Sequence, residues 1–164
     1  MSILYKVRPL KPGDEVEVCN LVARSFNEFI APGFSEVGIE EFYRYVNPRA
    51  LHKRWRTGYH VILAEYHELI IGVVEVKKRR HISMLYVEKT YHRNGIASEL
   101  LEKALGYILS SAPKTKEVTV NSSQYAKPFY EREGFRKTDE EKVIHGIVHI
   151  PMALALEEKK AATP

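Results

Sequence analysis

The chain has 164 residues, 45% of them hydrophobic and 28% charged, with a formal net charge of +4. That make-up supports one compact domain over 1–156 with a sizeable core, and the absence of an apolar run of membrane length or a leader-like start makes the expectation a cytoplasmic protein without a membrane partner. The lone cysteine, Cys19, excludes an internal disulfide and a multi-cysteine metal site, and basic residues interleaved with almost as many acids give no nucleic-acid footprint.

In chain order, Tyr5 to Arg8 reads as a strand that Pro9 and Pro12-Gly13-Asp14 bring to an end. Asp14 is the expected N-cap of a helix, with Glu17 as its capping-box partner and Val18, Val22, Phe26 and Phe29 on its inner face. After Ala31-Pro32-Gly33-Phe34, a second helical stripe runs through Ile39, Phe42, Tyr43 and Val46 to Asn47-Pro48, and Leu51 and Trp55 suggest a further short helix. The basic cluster around it, Arg49, His52, Lys53, Arg54 and Arg56, reads either as a solvated face or as a guide for an acidic ligand. His60 to Tyr66 and Leu69 to Lys77 form a hairpin closed by His67-Glu68, and His81 to Val87 is a fourth strand.

The stretch from Tyr86 to Leu101 organises the rest. Ile96, Leu100, Leu101, Ala104, Leu105, Ile108 and Leu109 recur at helical spacing, so a helix runs from Ile96 to Ser111. Gly95 stands where strand gives way to helix. A glycine there lets a ligand approach the backbone, while the free N–H groups of the first turn and the helix dipole attract an anion. The expectation is a phosphate site, yet neither G-x-G-x-x-G nor G-x-x-x-x-G-K-[ST] occurs. Glu117 to Asn121 is a fifth strand, Tyr125 to Glu133 a short helix stopped by Gly134, and Phe135 onward a sixth strand. Ile147 to Leu156 alternates like a strand that Pro151 pushes toward an edge or a bulge, and 157–164 is expected to be a disordered tail.

The segment His92-Arg93-Asn94-Gly95-Ile96-Ala97 resembles the acyl-CoA loop of the GNAT superfamily of N-acetyltransferases, [Q/R]-x-x-G-x-[G/A], departing from it at His92. A second stretch, from Val118 through Phe129-Tyr130-Glu131-Arg132-Glu133-Gly134-Phe135, resembles the family's F-Y-E-x-x-G-F signature. The resemblance spans about Val61 to Met152. It implies an α+β fold: a mixed, mostly antiparallel sheet of six to seven strands, flanked by about four helices and splayed between the fourth and fifth strands. It also implies transfer of an acetyl group from acetyl-CoA to an amine by direct attack.

Three demands follow. The pyrophosphate falls to the loop His92, Arg93, Asn94, Gly95, Ile96, Ala97 and Ser98, working through main-chain N–H groups. The pantetheine amides fall to the backbone of Leu85, Tyr86 and Val87, whose other reading is simply core strand, and to Asn121 and Ser123, the latter equally suited to capping the short helix. Proton movement needs an acid for the leaving thiolate, which the motif match gives to Tyr130, and a base for the amine. His81 opens the fourth strand where the family's histone-acetylating members carry a glutamate, and its unperturbed pKa of about 6.5 suits the task. Glu75, His145 or a water chain are the alternatives. Seven histidines without an H-E-x-x-H pairing give no metal site. The aromatics Phe26, Phe29, Phe34 and Tyr43 read as acceptor surface or as core, a homodimer is left open, and the rival to an enzyme is a non-catalytic acyl-CoA sensor.

Overall fold

The computed structural model describes residues 3–157. Met1, Ser2 and 158–164, which hold most of the tail expected to be disordered, lie outside them. The element order is β1 (Lys6–Pro9), α1 (Glu15–Phe29), α2 (Glu36–Tyr45), α3 (Pro48–Arg56), β2 (His60–Tyr66), β3 (Leu69–Lys77), β4 (His81–Val87), α4 (Ile96–Ser111), β5 (Glu117–Ser122), α5 (Lys127–Arg132), β6 (Arg136–Lys137), β7 (Lys142–Ile144) and β8 (Ile147–Ala155). The strands form one sheet of order β1-β2-β3-β4-β5-β8-β6, with β7 also paired to β8. Every ladder is antiparallel except β4–β5.

The sheet is covered on both faces. On one, Leu100, Leu101, Ala104 and Ile108 of α4 pack with Val74, Val76, Ile82, Val118 and Val120, and Tyr130 and Phe135 join them. On the other, Val18, Leu21 and Val22 of α1 and Leu51 of α3 pack on Val61, Leu63, Val73 and Met84. Each fully buried Leu or Ile contributes about 1.5–3 kcal/mol, so these two layers fix the strands between them. Cys19 belongs to the second layer, and burial pushes its thiol up to about 11. Between β2 and β3, His67 and Glu68 both take positive φ, 49° and 63°, as a tight hairpin turn demands.

Several expectations change. Asp14 makes no side-chain cap to α1; its carboxylate takes the Arg8 guanidinium (2.7 and 3.1 Å) and the Lys11 N–H (2.7 Å). Glu17 instead accepts the backbone N–H of Ile70 at 2.8 Å, so an ion pair and a sheet contact replace the capping box. Asn47 does not merely close α2; its side chain accepts the Ala50 N–H and caps α3. Within the basic cluster Arg54 is buried, which overturns the solvated-face reading at that residue. The strands number more than expected because a short β7 precedes β8.

Pro151 is not on an edge. It faces Asn121 of β5 across the ladder, and β8 has β6 and β7 on its other side. The Pro151 carbonyl accepts from Thr138 N at 2.9 Å on the β6 side. In an antiparallel ladder a residue's N and C=O face the same neighbour, so the N–H that proline lacks also points that way. There the regular pairing stops at Lys137↔Met152 and resumes at Lys142↔His149, so the proline falls in the interruption, opposite Thr138.

One contact fixes α2 against the far end of the sheet. Gly146, at φ 79° in the β7–β8 turn, meets Gly38 of α2 backbone to backbone, and a Cβ added at Gly146 would stand 2.8 Å from Gly38 Cα and 2.9 Å from Ser35 Oγ. Neither position has room for a side chain.

Candidate active site

β4 and β5 run parallel for only two registered pairs, His81↔Thr119 and Ile82↔Val120. Beyond them the strands part, and the edge of β4 from Ser83 to Val87 opens onto a cleft of about 900 Å³. The divergence creates the site: parallel strands left unpaired expose N–H and C=O groups that an amide-bearing ligand can satisfy. Leu85, Tyr86 and Val87 line the cleft from one side and Asn121 and Ser123 from the other.

At its outer end β4 passes through a short 3₁₀ turn, Lys89–Tyr91, to the start of α4. Gly95 is the N-cap, with φ 74° and ψ 10°, and no atom stands within 4 Å of where its Cβ would be. That left-handed residue turns the chain so that the first N–H groups of α4, from Ile96, Ala97 and Ser98, face open space as an anion site requires. The loop is braced from within. Asn94 donates to the carbonyls of Tyr91 (3.0 Å) and His92 (3.1 Å), and His92 Nε2 lies 2.8 Å from the Val87 carbonyl. Arg93, at φ 65°, is exposed on the cleft, while Ile96 is buried in the core and Ser98 donates its hydroxyl to Glu133.

Midway along, Tyr130 on α5 lines the cleft with 4% of its surface exposed, its ring against Phe129 and Phe135. Its hydroxyl has no hydrogen-bond partner among the described residues. Burial, and then the neighbouring Tyr86, push its pKa well above the ordinary tyrosine value, so it holds its proton across the physiological range. The Ser123 hydroxyl accepts the Ala126 N–H at 3.0 Å, bracing the turn that leads into α5, whose N-cap is Ala126 and carries no side-chain cap. Phe29, expected on the inner face of α1, is only half-buried; it stacks on Tyr125 with ring centroids 4.5 Å apart, joining the two sides of the cleft.

At the inner end, where β4 and β5 still touch, His81 Nδ1 lies 2.7 Å from Thr119 Oγ1. Burial, reinforced by Lys77, Arg80 and His149, lowers its pKa to about 4, so the imidazole is neutral at physiological pH. Beside it lies a network that motifs do not reveal. Glu75 of β3 is fully buried, with Arg54 Nε on its Oε2 at 2.9 Å and the hydroxyls of Tyr45 and Ser83 (2.8 Å) on its Oε1. Arg54 also donates to the Tyr45 carbonyl and packs its guanidinium 3.5 Å from the centre of the Tyr45 ring. Tyr45 and Ser83 line the cleft; Glu75 stands behind them. The available signal was one carboxylate inside the apolar run Leu69–Lys77, which demands a buried partner without saying where that partner is. Phe26 and Phe34 line the same end, whereas Tyr43 turns away to donate to Asn27 at 2.7 Å.

Comparison with known proteins agrees with this geometry. Residues 30–156 match the family described as Acetyltransferase (GNAT) domain. An uncharacterised N-acetyltransferase of Escherichia coli K12, YafP, is 27% identical over 138 residues, covering 84% of this chain and 85% of that protein. Among solved structures, a GCN5-related N-acetyltransferase from Rhodopseudomonas palustris superposes with a TM-score of 0.79 at 21% identity, over 94% of this chain and 98% of that one. The PaiA N-acetyltransferase of Thermoplasma acidophilum, solved in complex with coenzyme A, gives 0.78 at 18% identity, over 93% and 99%. With the family match spanning most of the described residues and the sheet splayed as that family's fold requires, the chain belongs to the GNAT acetyltransferases.

Proposed function

We propose that the protein transfers the acetyl group of acetyl-CoA to a primary amine by direct attack, with Tyr130 as general acid. Acetyl-CoA supplies the activated thioester; the coenzyme A in the Thermoplasma relative makes it the natural ligand for a cleft of this form. The main-chain N–H groups of Arg93 through Ser98, in the loop and the first turn of α4, hold the pyrophosphate. His92 and Asn94 keep that loop in shape, the open backbone of Leu85 to Val87 takes the pantetheine amides, and Asn121 and Ser123 form the facing wall. The five residues of β4 from Val87 back to Ser83, four strand rises, span ~13 Å, carrying the acyl end inward toward His81.

The observation that carries this reading is the Tyr130 hydroxyl: protonated, on a largely buried ring that lines the cleft, and without a partner among the described residues. Its proton is uncommitted, so it can donate to the departing sulfur as the C–S bond breaks. His81, neutral above about pH 4, is the proposed acceptor of the surplus amine proton.

The test is calorimetric titration with acetyl-CoA, followed by thiol release over a panel of amines and peptides. Micromolar binding with release on one acceptor class is the expected result. Binding without release on any acceptor would favour an acyl-CoA sensor, and no binding would overturn the assignment of the loop.

A further inference from the structure

The inner end of the cleft is built to accept hydrogen bonds. Tyr45 and Ser83 each own one hydroxyl proton: Tyr45 donates to Glu75 Oε1, Ser83 donates to Glu75 Oε1 (2.8 Å) or the Glu75 carbonyl (3.3 Å), and the two hydroxyls are also close enough to interact with each other. With those protons committed, only oxygen lone pairs are left to face the cleft. Burial and the Glu75 charge raise the Tyr45 pKa, so its proton stays in place.

The arrangement is held from several sides. The β3–β4 register slips between Glu75↔Met84 and Val76↔Ile82, leaving Ser83 without a cross-strand partner. That bulge sets Ser83 one residue beyond the last β4–β5 pair, at the point where the cleft begins. Tyr45 is fixed by the Arg54 guanidinium over its ring and on its carbonyl. Sharing one carboxylate oxygen keeps the two hydroxyl oxygens within about 6 Å of each other, two hydrogen-bond lengths.

From this geometry we infer that Tyr45 Oη and Ser83 Oγ are the docking point of the acceptor nitrogen, and that they select a primary amine. Resting on the acetyltransferase reading above, this assigns the other substrate's place in the same cleft. A neutral primary amine has two N–H donors and one lone pair. Giving one hydrogen to each hydroxyl oxygen leaves the lone pair free for the thioester carbonyl. A secondary amine satisfies only one of the two oxygens, and a tertiary amine neither. Glu75 touches no substrate; it is a positioning residue that orients both hydroxyls, and Arg54 in turn holds Glu75.

The experiment compares the wild type with Tyr45→Phe, Ser83→Ala and Glu75→Gln. Its readouts are KM for the amine and for acetyl-CoA separately, kcat/KM for a primary amine against its N-methyl derivative, and thermal midpoints to confirm folding. An acceptor from the thiol-release panel serves as the amine. Tyr45→Phe and Ser83→Ala are each expected to raise the amine KM ~10-fold, the loss of about one hydrogen bond, with the acetyl-CoA KM unchanged. The preference for the primary amine should fall from ~10-fold toward unity. Glu75→Gln should lower that preference as well, because its amide reorients the hydroxyl protons. A rise in the acetyl-CoA KM instead would place the two hydroxyls on the pantetheine arm and overturn the inference, as would an unchanged preference in folded variants. Absence of thiol release by the wild type on every amine would fail the acetyltransferase reading itself, and is seen before any variant is made.

Discussion

The two ends of the cleft are made by different means. The outer end is backbone: one left-handed glycine, a braced loop and the first turn of α4, all within 92–98. The inner end is side chain: Arg54 from α3, Tyr45 from α2, Glu75 from β3 and Ser83 from β4, assembled from four elements around one buried carboxylate. A backbone site needs one residue of the right conformation and tolerates its neighbours. A side-chain network must be complete, because each missing member leaves a buried polar group without a partner. Changes at the outer end should therefore cost ligand, whereas breaking the buried charge pair behind the inner end should cost stability.

The sharpest way to test that contrast is Arg54→Met, which keeps bulk against Tyr45 but leaves Glu75 buried and unpaired. Breaking a buried ion pair from one side costs about 3–5 kcal/mol, read from urea unfolding, and adding Glu75→Leu should return much of it. Tyr130→Phe should leave stability and acetyl-CoA affinity intact while lowering kcat about 10²-fold or more. Equal turnover of mutant and wild type across pH would remove Tyr130 as the acid.

A pH effect at His81 follows. Its folded pKa, about 4, lies below the ordinary 6.5 of an unfolded histidine, so the unfolded chain binds more protons between these values. Stability contributed by neutral His81 is then present above pH 6.5 and is lost as pH falls toward 4, by up to roughly 3 kcal/mol. Urea midpoints measured from pH 7 to 4.5 should fall less steeply in His81→Asn. If His81 is the base, the acidic limb of the rate profile should also lie nearer 4 than 6.5.

The smallest expected effect on the fold is at Gly95. A side chain there meets no protein atom, so Gly95→Val should cost only the left-handed backbone strain, about 1–2 kcal/mol. It would, however, place methyl groups where the phosphate is proposed to approach, and the Kd for acetyl-CoA should rise at least ~10-fold. Gly95→Asn, which tolerates left-handed φ, separates the two causes: near-normal stability with weakened binding is the expected pattern.

What could be read in advance follows the same division. The β2–β3 hairpin, α4 and the Gly95 loop were legible because each rests on local chemistry: alternation, helical spacing, a glycine at a junction. The place of Tyr130 in the cleft wall was legible through a contiguous motif. Asp14 does hold the N-cap position, but its side chain was misread because an N-cap pattern is local, whereas Arg8 reaches the carboxylate through the fold. Of the edge or bulge expected at Pro151, the edge is absent and the irregularity lies in the opposing chain, between β6 and β7, where it depends on how the chain returns. Arg54 looked like one basic residue among several, since its partner stands on β3. Charge in a sequence says what must be compensated, and only the packing says by whom.

The meeting of Gly38 and Gly146 bears on how acceptors enter. It fastens α2, which carries Tyr45, to the turn that brings His145 into the cleft wall. On the acetyltransferase reading proposed above, two backbones already in contact tie the width of the inner opening to the fold itself, so acceptors would be sorted by calibre there, and enlarging either glycine should rebore the aperture.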